Sequence, residues 1–254
     1  FQAEDGIRDF CLSRGLGDVY KRQAILIPAR LASKRFPDKM LHILDGKPLI
    51  QRVFDACRQT DFDTYVITDS KRIASLVPNH IITGEASNGT ERCSIAARDL
   101  DYDSYINVQG DMPDVTPTMI HAVADYLKYY PVTTLFTEMT EEEQLKPSTV
   151  KMVRSGDTAL WFGRGITGYG DWHLGIYGYR SDALSLYPSL EVTQEERVEK
   201  LEQLRWLKAG WTIGCTKVDF NGVEINTQED IHLWNYKNEQ VQDRSVGITQ
   251  NQTI

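Results

Sequence analysis

The chain has 254 residues, of which 41% are hydrophobic, so it can bury a sizeable core in one large domain or two small ones. Its formal net charge of −8 argues against non-specific nucleic-acid binding, because that activity needs clustered positive charge. No apolar run approaches the roughly 20 residues that span a bilayer, so we expect no membrane insertion.

The four cysteines are far apart in the sequence and form neither a CxxC pair nor a metal-type spacing with histidine. Such cysteines are typical of a reduced protein, and the N-terminus has no apolar stretch of the signal-peptide kind. We therefore expect a cytoplasmic location. Residues 1–23 mix charged and polar types without periodicity, and they read like translated adapter sequence. We interpret them as a non-native or disordered extension and leave them out of the fold.

An apolar run at residues 24–27 predicts a strand that is buried on both faces, as in parallel sheets. The loop after it contains small residues, Ser33 among them, and carries the cations Arg30, Lys34, Arg35 and Lys39. Ligands of open α/β sheets bind beyond the carboxyl ends of such strands, where backbone N–H groups and cations can hold a polyphosphate. The pattern therefore indicates a phosphate-binding loop, and an ordinary exposed loop is the alternative.

Three segments predict that this strand begins a βαβαβ unit. Apolar residues repeat at helical spacing over residues 49–58, and short apolar runs at 64–68 and 81–83 read as strands joined by a short helix. Strands connected in this way are parallel, and their crossovers are right-handed.

The next two segments carry candidate binding groups. The Asn88-Gly89 turn opens a helix at Thr90, where free backbone N–H groups and Arg92 could bind an anion, although a generic helix start would look much the same. A strand at residues 105–109 ends in Gln109, whose amide can both donate to and accept from a pyrimidine. Asp111 follows, and a carboxylate at the end of a central strand is well placed to hold Mg²⁺ against phosphate oxygens.

The second half of the chain continues with alternating elements. We predict a helix over residues 117–130, a strand over 132–136, a hairpin about residues 155–157, a strand over 173–179, one helix over 195–208, a strand over 212–218 and a helix that begins near Thr227. His173 and Tyr177 should project from the same face of their strand, and a structural histidine is the alternative there. The polar segment after Asn238 is expected to be loose.

Four strings in this chain resemble those of the sugar-acid cytidylyltransferases, above all the 3-deoxy-manno-octulosonate (Kdo) enzymes. The family's opening pattern I-P-A-R-x-x-S-x-R-x-P-x-K is met from Ile27 to Lys39, and N-V-Q-G-D is met at residues 107–111. The strings H-x-G-I-Y-x-Y and L-E-Q-L-R follow at residues 173–179 and 201–205. The resemblance implies a Rossmann-like α/β nucleotidyltransferase fold, with a mixed, mostly parallel sheet and helices on both faces. It places the domain at residues 24–238 and a polar tail at 239–254.

The resemblance also implies roles for individual residues. CTP would be bound by Arg30, Ser33, Lys39, Gly89, Thr90, Arg92 and Gln109. The sugar acid would be bound by Arg164, His173, Tyr177, Glu202 and Gln203. Catalysis would rest on Arg30, Lys39 and Asp111, with Mg²⁺ as the cofactor on Asp111 and Asn226. Whether the chain forms a homodimer stays open.

This sequence departs from the family pattern in several places. Met112 stands where the family has a second carboxylate, Gly163 stands where it has serine, and the segment 165–172 is shorter. Asn226 replaces the aspartate that binds metal in the family string V-D-T-P-E-D, and Glu224 lies two residues before it. A cation held by Asp111 and an uncharged amide should bind more weakly.

The resemblance implies transfer of CMP from CTP to a 2-keto sugar acid, with release of pyrophosphate, for lipopolysaccharide or surface-glycan synthesis. Two alternatives stay open. The acceptor could be another sugar acid, such as 8-amino-Kdo or a nonulosonic acid. The chain could also be a degenerate homologue that binds a nucleotide without catalysis.

Overall fold

The computed structural model describes residues 22–32 and 35–250, with side chains described as far as residue 240. The predicted extension at residues 1–23 therefore lies almost wholly outside the described residues. The strands are β1 (Gln23–Ala29), β2 (Ile43–Leu44), β3 (Lys47–Pro48), β4 (Asp63–Thr68), β5 (His80–Ile82), β6 (Ser104–Val108), β7 (Val132–Thr137), β8 (Lys151–Ser155), β9 (Thr158–Gly163), β10 (Asp171–Arg180) and β11 (Ile213–Lys217). The helices are α1 (Leu49–Cys57), α2 (Lys71–Ala74), α3 (Gly89–Ala97), α4 (Pro117–Tyr126), α5 (Glu141–Leu145), α6 (Ser181–Leu186), α7 (Gln194–Glu199), α8 (Leu204–Lys208) and α9 (Gln228–Gln250).

Nine of these strands form one mixed sheet in the order β5-β4-β1-β6-β10-β7-β11-β9-β8. The pairings β5–β4, β4–β1 and β1–β6 are parallel, as the βαβαβ prediction requires. β10 then enters between β6 and β7 antiparallel to both, and the β8–β9 hairpin adds further antiparallel pairs. The mixed α/β fold is confirmed, but the sheet is not mostly parallel as predicted, because four of its strand pairings are parallel and five are antiparallel.

The first strand explains why helices cover both faces of the sheet. Side chains alternate along a strand, so Ile25 and Ile27 point to one face while Ala24 and Leu26 point to the other. The first face packs against the apolar stripes of α1 and α4, and the second packs against α3 and the aromatic residues around Trp206. Each of the four side chains is fully buried, which accounts for the uninterrupted apolar run.

Two predicted elements differ from the structure. The helix expected over residues 195–208 is broken into α7 and α8, because Lys200 adopts a left-handed conformation with φ of 56°. The segment after Asn238, which we expected to be loose, continues α9 as far as Gln250. Among the described residues, no helix is both long enough and apolar enough to cross a membrane.

Candidate active site

Lys39 and Asp111 meet at the carboxyl edge of the sheet. Because β1 and β6 pair in parallel, the segments that follow them emerge on the same side. Lys39 is only 8% exposed, and its Nζ donates a hydrogen bond of 2.6 Å to Oδ2 of Asp111. The Asp111 side chain keeps 23% of its surface exposed, so a ligand can reach it from solvent.

Arg30 follows β1 directly and is the exposed cation at this edge. It forms no hydrogen bond or ion pair with any residue that the structure describes, so its guanidinium is free to bind an anion. Ser33, which we predicted to bind the nucleotide, lies outside the described residues together with Lys34. Its role stays a prediction.

The turn before α3 lies beside the end of β6. Oδ1 of Asn88 accepts a hydrogen bond of 2.8 Å from the backbone N–H of Glu91 and so caps the helix. A side chain at Gly89 would come within 3.3 Å of the amide nitrogen of Gln109, so these two predicted nucleotide-binding residues are in close contact. The Gln109 amide also donates to Oδ1 of Asn107 at 3.3 Å.

Arg92 is turned toward the ends of β4 and β5. It is 4% exposed, and its guanidinium pairs with Asp69 at 2.8 Å and donates to Oγ1 of Thr83 at 2.5 Å. These bonds join α3 to the sheet edge. The predicted contact of Arg92 with the nucleoside stays a prediction, and no local pattern in the sequence pairs Arg92 with Asp69.

Glu202 and Gln203 lie in the break between α7 and α8. Oε1 of Glu202 accepts hydrogen bonds from the backbone N–H and the hydroxyl of Thr90, at 3.2 and 2.9 Å. Burial raises the pKa of Glu202, although these hydrogen bonds act in the opposite direction. The predicted sugar-binding segment therefore lies directly against the predicted nucleotide-binding turn. Gln203 is buried, and its amide nitrogen has no hydrogen-bond partner in the described part of the chain.

His173 and Tyr177 lie side by side on β10, as predicted, with ring centroids 5.4 Å apart. Nε2 of His173 is 3.0 Å from the hydroxyl of Thr134, and the edge of the ring contacts Phe162. Burial, with a smaller effect of the Arg164 charge, lowers the pKa of His173 to about 3. The imidazole is therefore neutral at physiological pH and can bind a ligand only as an uncharged group.

Arg164 follows β9 and enters the same region. Its guanidinium donates to the carbonyl of Ser148 at 2.7 Å, and its backbone N–H donates to Glu199 at 2.9 Å. The buried ammonium of Lys151 holds the carbonyl of Arg164 at 3.2 Å. Burial and the neighbouring Arg35 charge lower the pKa of Arg164, so an anion would be favoured beside it.

The side chain of Asn226, the predicted second metal ligand, is hydrogen-bonded to another residue. Its Oδ1 accepts a hydrogen bond of 3.0 Å from the guanidinium of Arg35. Glu224 instead lies within electrostatic range of Asp111. Burial and the Asp111 charge together raise the pKa of Glu224 to about 7, while the charges of Arg164 and Lys39 lower it.

The acidic groups at this edge suit a magnesium ion. Two carboxylates that lie near each other are stabilised by a shared divalent cation, and Mg²⁺ prefers oxygen ligands. Among the described residues, no cluster of three or more His, Cys, Asp or Glu side chains forms a metal site. The protein would therefore supply few ligands, and nucleotide phosphates would supply the others, as is common for Mg²⁺.

Comparisons with known proteins identify the family. Residues 24–213 match the cytidylyltransferase family. The 3-deoxy-manno-octulosonate cytidylyltransferase of Rickettsia conorii is 37% identical over 225 residues, which cover 82% of this chain and 92% of that protein. The 8-amino-3,8-dideoxy-manno-octulosonate cytidylyltransferase of Shewanella halifaxensis is 36% identical over 233 residues, covering 82% of this chain and 95% of that protein.

The chain is also similar to solved structures. The structure of a CMP:2-keto-3-deoxy-manno-octonic acid synthetase complexed with CTP is similar, with a TM-score of 0.80 and 32% identity over 87% of this chain and 99% of that one. The inositol-1-phosphate CTP transferase of T. maritima shares the fold at 14% identity, with a TM-score of 0.64 over 82% of this chain and 91% of that one.

Proposed function

Because the chain belongs to the cytidylyltransferase family, we propose that it transfers CMP from CTP to a 2-keto sugar acid of the Kdo type and releases pyrophosphate. One structural observation carries the proposal. The phosphate-binding loop, Asp111, the turn before α3 and the His173–Tyr177 pair all lie around the carboxyl edge of one sheet. Residues far apart in the sequence thus meet at one edge of the sheet, where we propose that both substrates bind.

Positive charge at this edge of the sheet would hold the triphosphate of CTP. Arg30 is exposed and without a described partner, so it can bind phosphate oxygens directly. Lys39 is held in place by Asp111 and adds a fixed charge beside the group that is attacked. Gln109, which is in contact with the turn at Gly89, would offer its amide to the cytosine.

The sugar acid would lie toward Arg164, His173 and Tyr177. The guanidinium of Arg164 suits the substrate carboxylate, and the neutral imidazole of His173 suits a hydroxyl group. The anomeric oxygen of the sugar then attacks the α-phosphorus, the bond to the β-phosphate oxygen breaks, and pyrophosphate leaves. No covalent intermediate with the enzyme is needed, because positioning and charge neutralisation supply most of the catalysis in such transfers.

Asp111 is the residue that we propose as the main holder of Mg²⁺. The ion, when bound, would lower the pKa of the attacking hydroxyl and neutralise charge on the phosphate oxygens. The three cysteines of the described part, Cys57, Cys93 and Cys215, are free and buried, which fits a reducing cytoplasm. We propose that the product serves lipopolysaccharide or surface-glycan synthesis. A homodimer stays a prediction, which light scattering tests directly.

The test is pyrophosphate release from CTP and Mg²⁺ with Kdo, with 8-amino-Kdo, and without an acceptor. Similarity to enzymes of both named sugars makes the second acceptor a serious alternative, since the two identities are 37% and 36%. We expect release only when a sugar acid is present, and the better substrate identifies the acceptor. CTP binding without release for any sugar acid would contradict the proposal and favour a homologue without catalysis.

A further inference from the structure

Lys151 is a buried cation that no carboxylate pairs with in the described part of the chain. Its residue surface is 1% exposed, and its Nζ donates to two backbone carbonyls, those of Lys146 at 2.6 Å and Arg164 at 3.2 Å. Burying a charge without an opposite charge costs free energy, and an apolar side chain of similar length would avoid that cost. The two hydrogen bonds are therefore the specific contribution of this ammonium group.

Lys151 lies between the two strands that lead to the predicted sugar-binding residues. In β8 it pairs with Gly163 of β9 on one side and with Trp172 of β10 on the other. Arg164 comes directly after Gly163, and His173 comes directly after Trp172. One residue therefore adjoins both predicted sugar-binding positions, although its own side chain is too buried to touch a ligand.

The turn at residues 146–149 fixes the other end of Arg164. Nη1 of Arg164 donates to the carbonyl of Ser148 at 2.7 Å, while Lys151 holds the carbonyl of Arg164 itself. The carbonyl of Lys146, which Lys151 also holds, lies in the same turn. The backbone and the guanidinium of Arg164 are thus bound to one hydrogen-bonded unit, and Lys151 joins its parts.

Most of the guanidinium of Arg164 remains available to a ligand. The side chain is partly exposed, and it forms no ion pair within the described ranges, although the carboxylates of Glu199 and Glu224 act on it at longer range. Its Nε and Nη2 form no hydrogen bond with any residue that the structure describes. These two nitrogens together can bind a carboxylate through two parallel hydrogen bonds, and such a pair requires exact placement of the guanidinium.

We propose that Lys151 is a positioning residue for the acceptor sugar: it fixes Arg164 so that the guanidinium meets the carboxylate of a 2-keto sugar acid in one orientation. The proposal rests on the proposed function, because it takes the sugar acid as the ligand of Arg164. It predicts that loss of the Lys151 ammonium weakens binding of the sugar acid and leaves binding of CTP almost unchanged. It also predicts that this loss has an effect only while the Arg164 side chain is present.

The experiment is a double-mutant cycle on the Kd for Kdo or 8-amino-Kdo, whichever the wild type binds more tightly. Isothermal titration calorimetry measures this Kd with CTP present and no divalent ion, so that no turnover is expected. Lys151→Met should raise the Kd by about tenfold, because a displacement of roughly 1 Å in a positioning group can cost up to about a hundredfold. In the Arg164→Ala background the same change should alter the Kd by less than about twofold. Lys146→Met is the matched control, since it removes an exposed ammonium from the same turn and keeps the carbonyl that Lys151 holds.

Steady-state kinetics with Mg²⁺ separates positioning from general damage to the fold. Lys151→Met should raise the KM for the sugar acid by about tenfold and keep both kcat and the KM for CTP within about twofold of the wild type. Urea unfolding shows whether each variant is folded. If Lys151→Met does not fold, Lys151→Gln, which is shorter and uncharged, takes its place in the cycle.

The outcomes separate this proposal from the proposed function. An equal rise in the Kd with and without the Arg164 side chain would overturn the proposal, and so would an unchanged Kd in a folded Lys151 variant. A rise in the KM for CTP as large as that for the sugar acid would also overturn it. A wild type that binds the sugar acid but releases no pyrophosphate would count against the proposed function alone, since the binding cycle still decides the role of Lys151. A wild type that binds neither sugar acid would overturn both.

Discussion

The buried ion pair between α7 and α8 gives the most specific prediction about the site's architecture. Nε and a terminal nitrogen of Arg205 donate to the two carboxylate oxygens of Glu196, at 2.8 and 2.6 Å. The side chains are only 5% and 10% exposed, and the guanidinium also lies 4.3 Å from the ring of Tyr187. This ion pair joins α7 to α8 across the break that contains Glu202 and Gln203.

Glu196→Gln keeps the side-chain shape but removes the charge. Removal of one partner from a buried ion pair costs about 3–5 kcal/mol, because the other charge stays buried. We expect a loss near the lower limit, about 3 kcal/mol in the free energy of unfolding, since the glutamine oxygen still accepts one hydrogen bond. The loosened segment should also raise the KM for the sugar acid more than it lowers kcat.

Urea unfolding measures the first effect, and steady-state kinetics at saturating CTP measures the second. Glu195→Gln is the matched control, because Glu195 is the neighbouring residue and its pair with Lys208 is much more exposed. We expect the control to leave stability nearly unchanged. If both variants unfold at the same urea concentration as the wild type, the buried pair does not hold this segment, and the reasoning is wrong.

Three further predictions concern other parts of the chain. The pKa of His173 is about 3 in the folded protein and 6.5 ordinarily, so the unfolded chain takes up a proton below about pH 6.5 and stability falls as the pH falls. His173→Gln should reduce the loss of stability that urea unfolding measures between about pH 7 and 5. A methyl group at Gly214 would overlap the ring of Tyr130, so Gly214→Ala should lower the free energy of unfolding by about 1–3 kcal/mol. Gly210→Ala should lower it by less, because the added methyl group would meet no atom, although Gly210 has a positive φ. Burial raises the pKa of the thiols, so a disulfide reagent at about pH 8 should label these cysteines only after unfolding: Cys57, Cys93 and Cys215. Rapid labelling of all three in native protein would contradict the packing described above.

The sequence predicted the first half of the fold well because local patterns determine it. The run at residues 24–27 is apolar on both faces, and only a central strand between two helical layers requires that. The Asn88 cap and the Thr116 cap likewise lie where short polar residues precede helical patterns. These signals are read within a few neighbouring residues, so a single sequence contains them.

The break after α7 could not be predicted in the same way. Apolar residues continue at helical spacing through Val198, Leu201 and Leu204, yet Val198 is 70% exposed and the helix ends beside it. The break is stabilised by a hydrogen bond between Thr90 and Glu202, two residues that are 112 positions apart in the sequence. Pattern reading has no access to such a contact.

The same limit applies to the metal site. A family string directs attention to position 226, but the bond from Arg35 to Asn226 joins residues 191 positions apart, and no local signal announces it. Only the fold shows that the side-chain oxygen of Asn226 accepts a hydrogen bond from Arg35.

We propose that this edge of the sheet joins CMP to a sugar acid, with Asp111 at the centre of the site. The most direct measurement is mass spectrometry of the product formed from CTP, Kdo and Mg²⁺ by the wild type, by Asp111→Asn and by the control Asp101→Asn. Asp101 is exposed and precedes β6, so it lies at the opposite edge of the sheet. We predict a CMP–Kdo ester in equal amounts from the wild type and the control, and a loss of at least about a hundredfold in Asp111→Asn. Hydrolysis of CTP without an ester, or full ester formation by Asp111→Asn, would contradict the account.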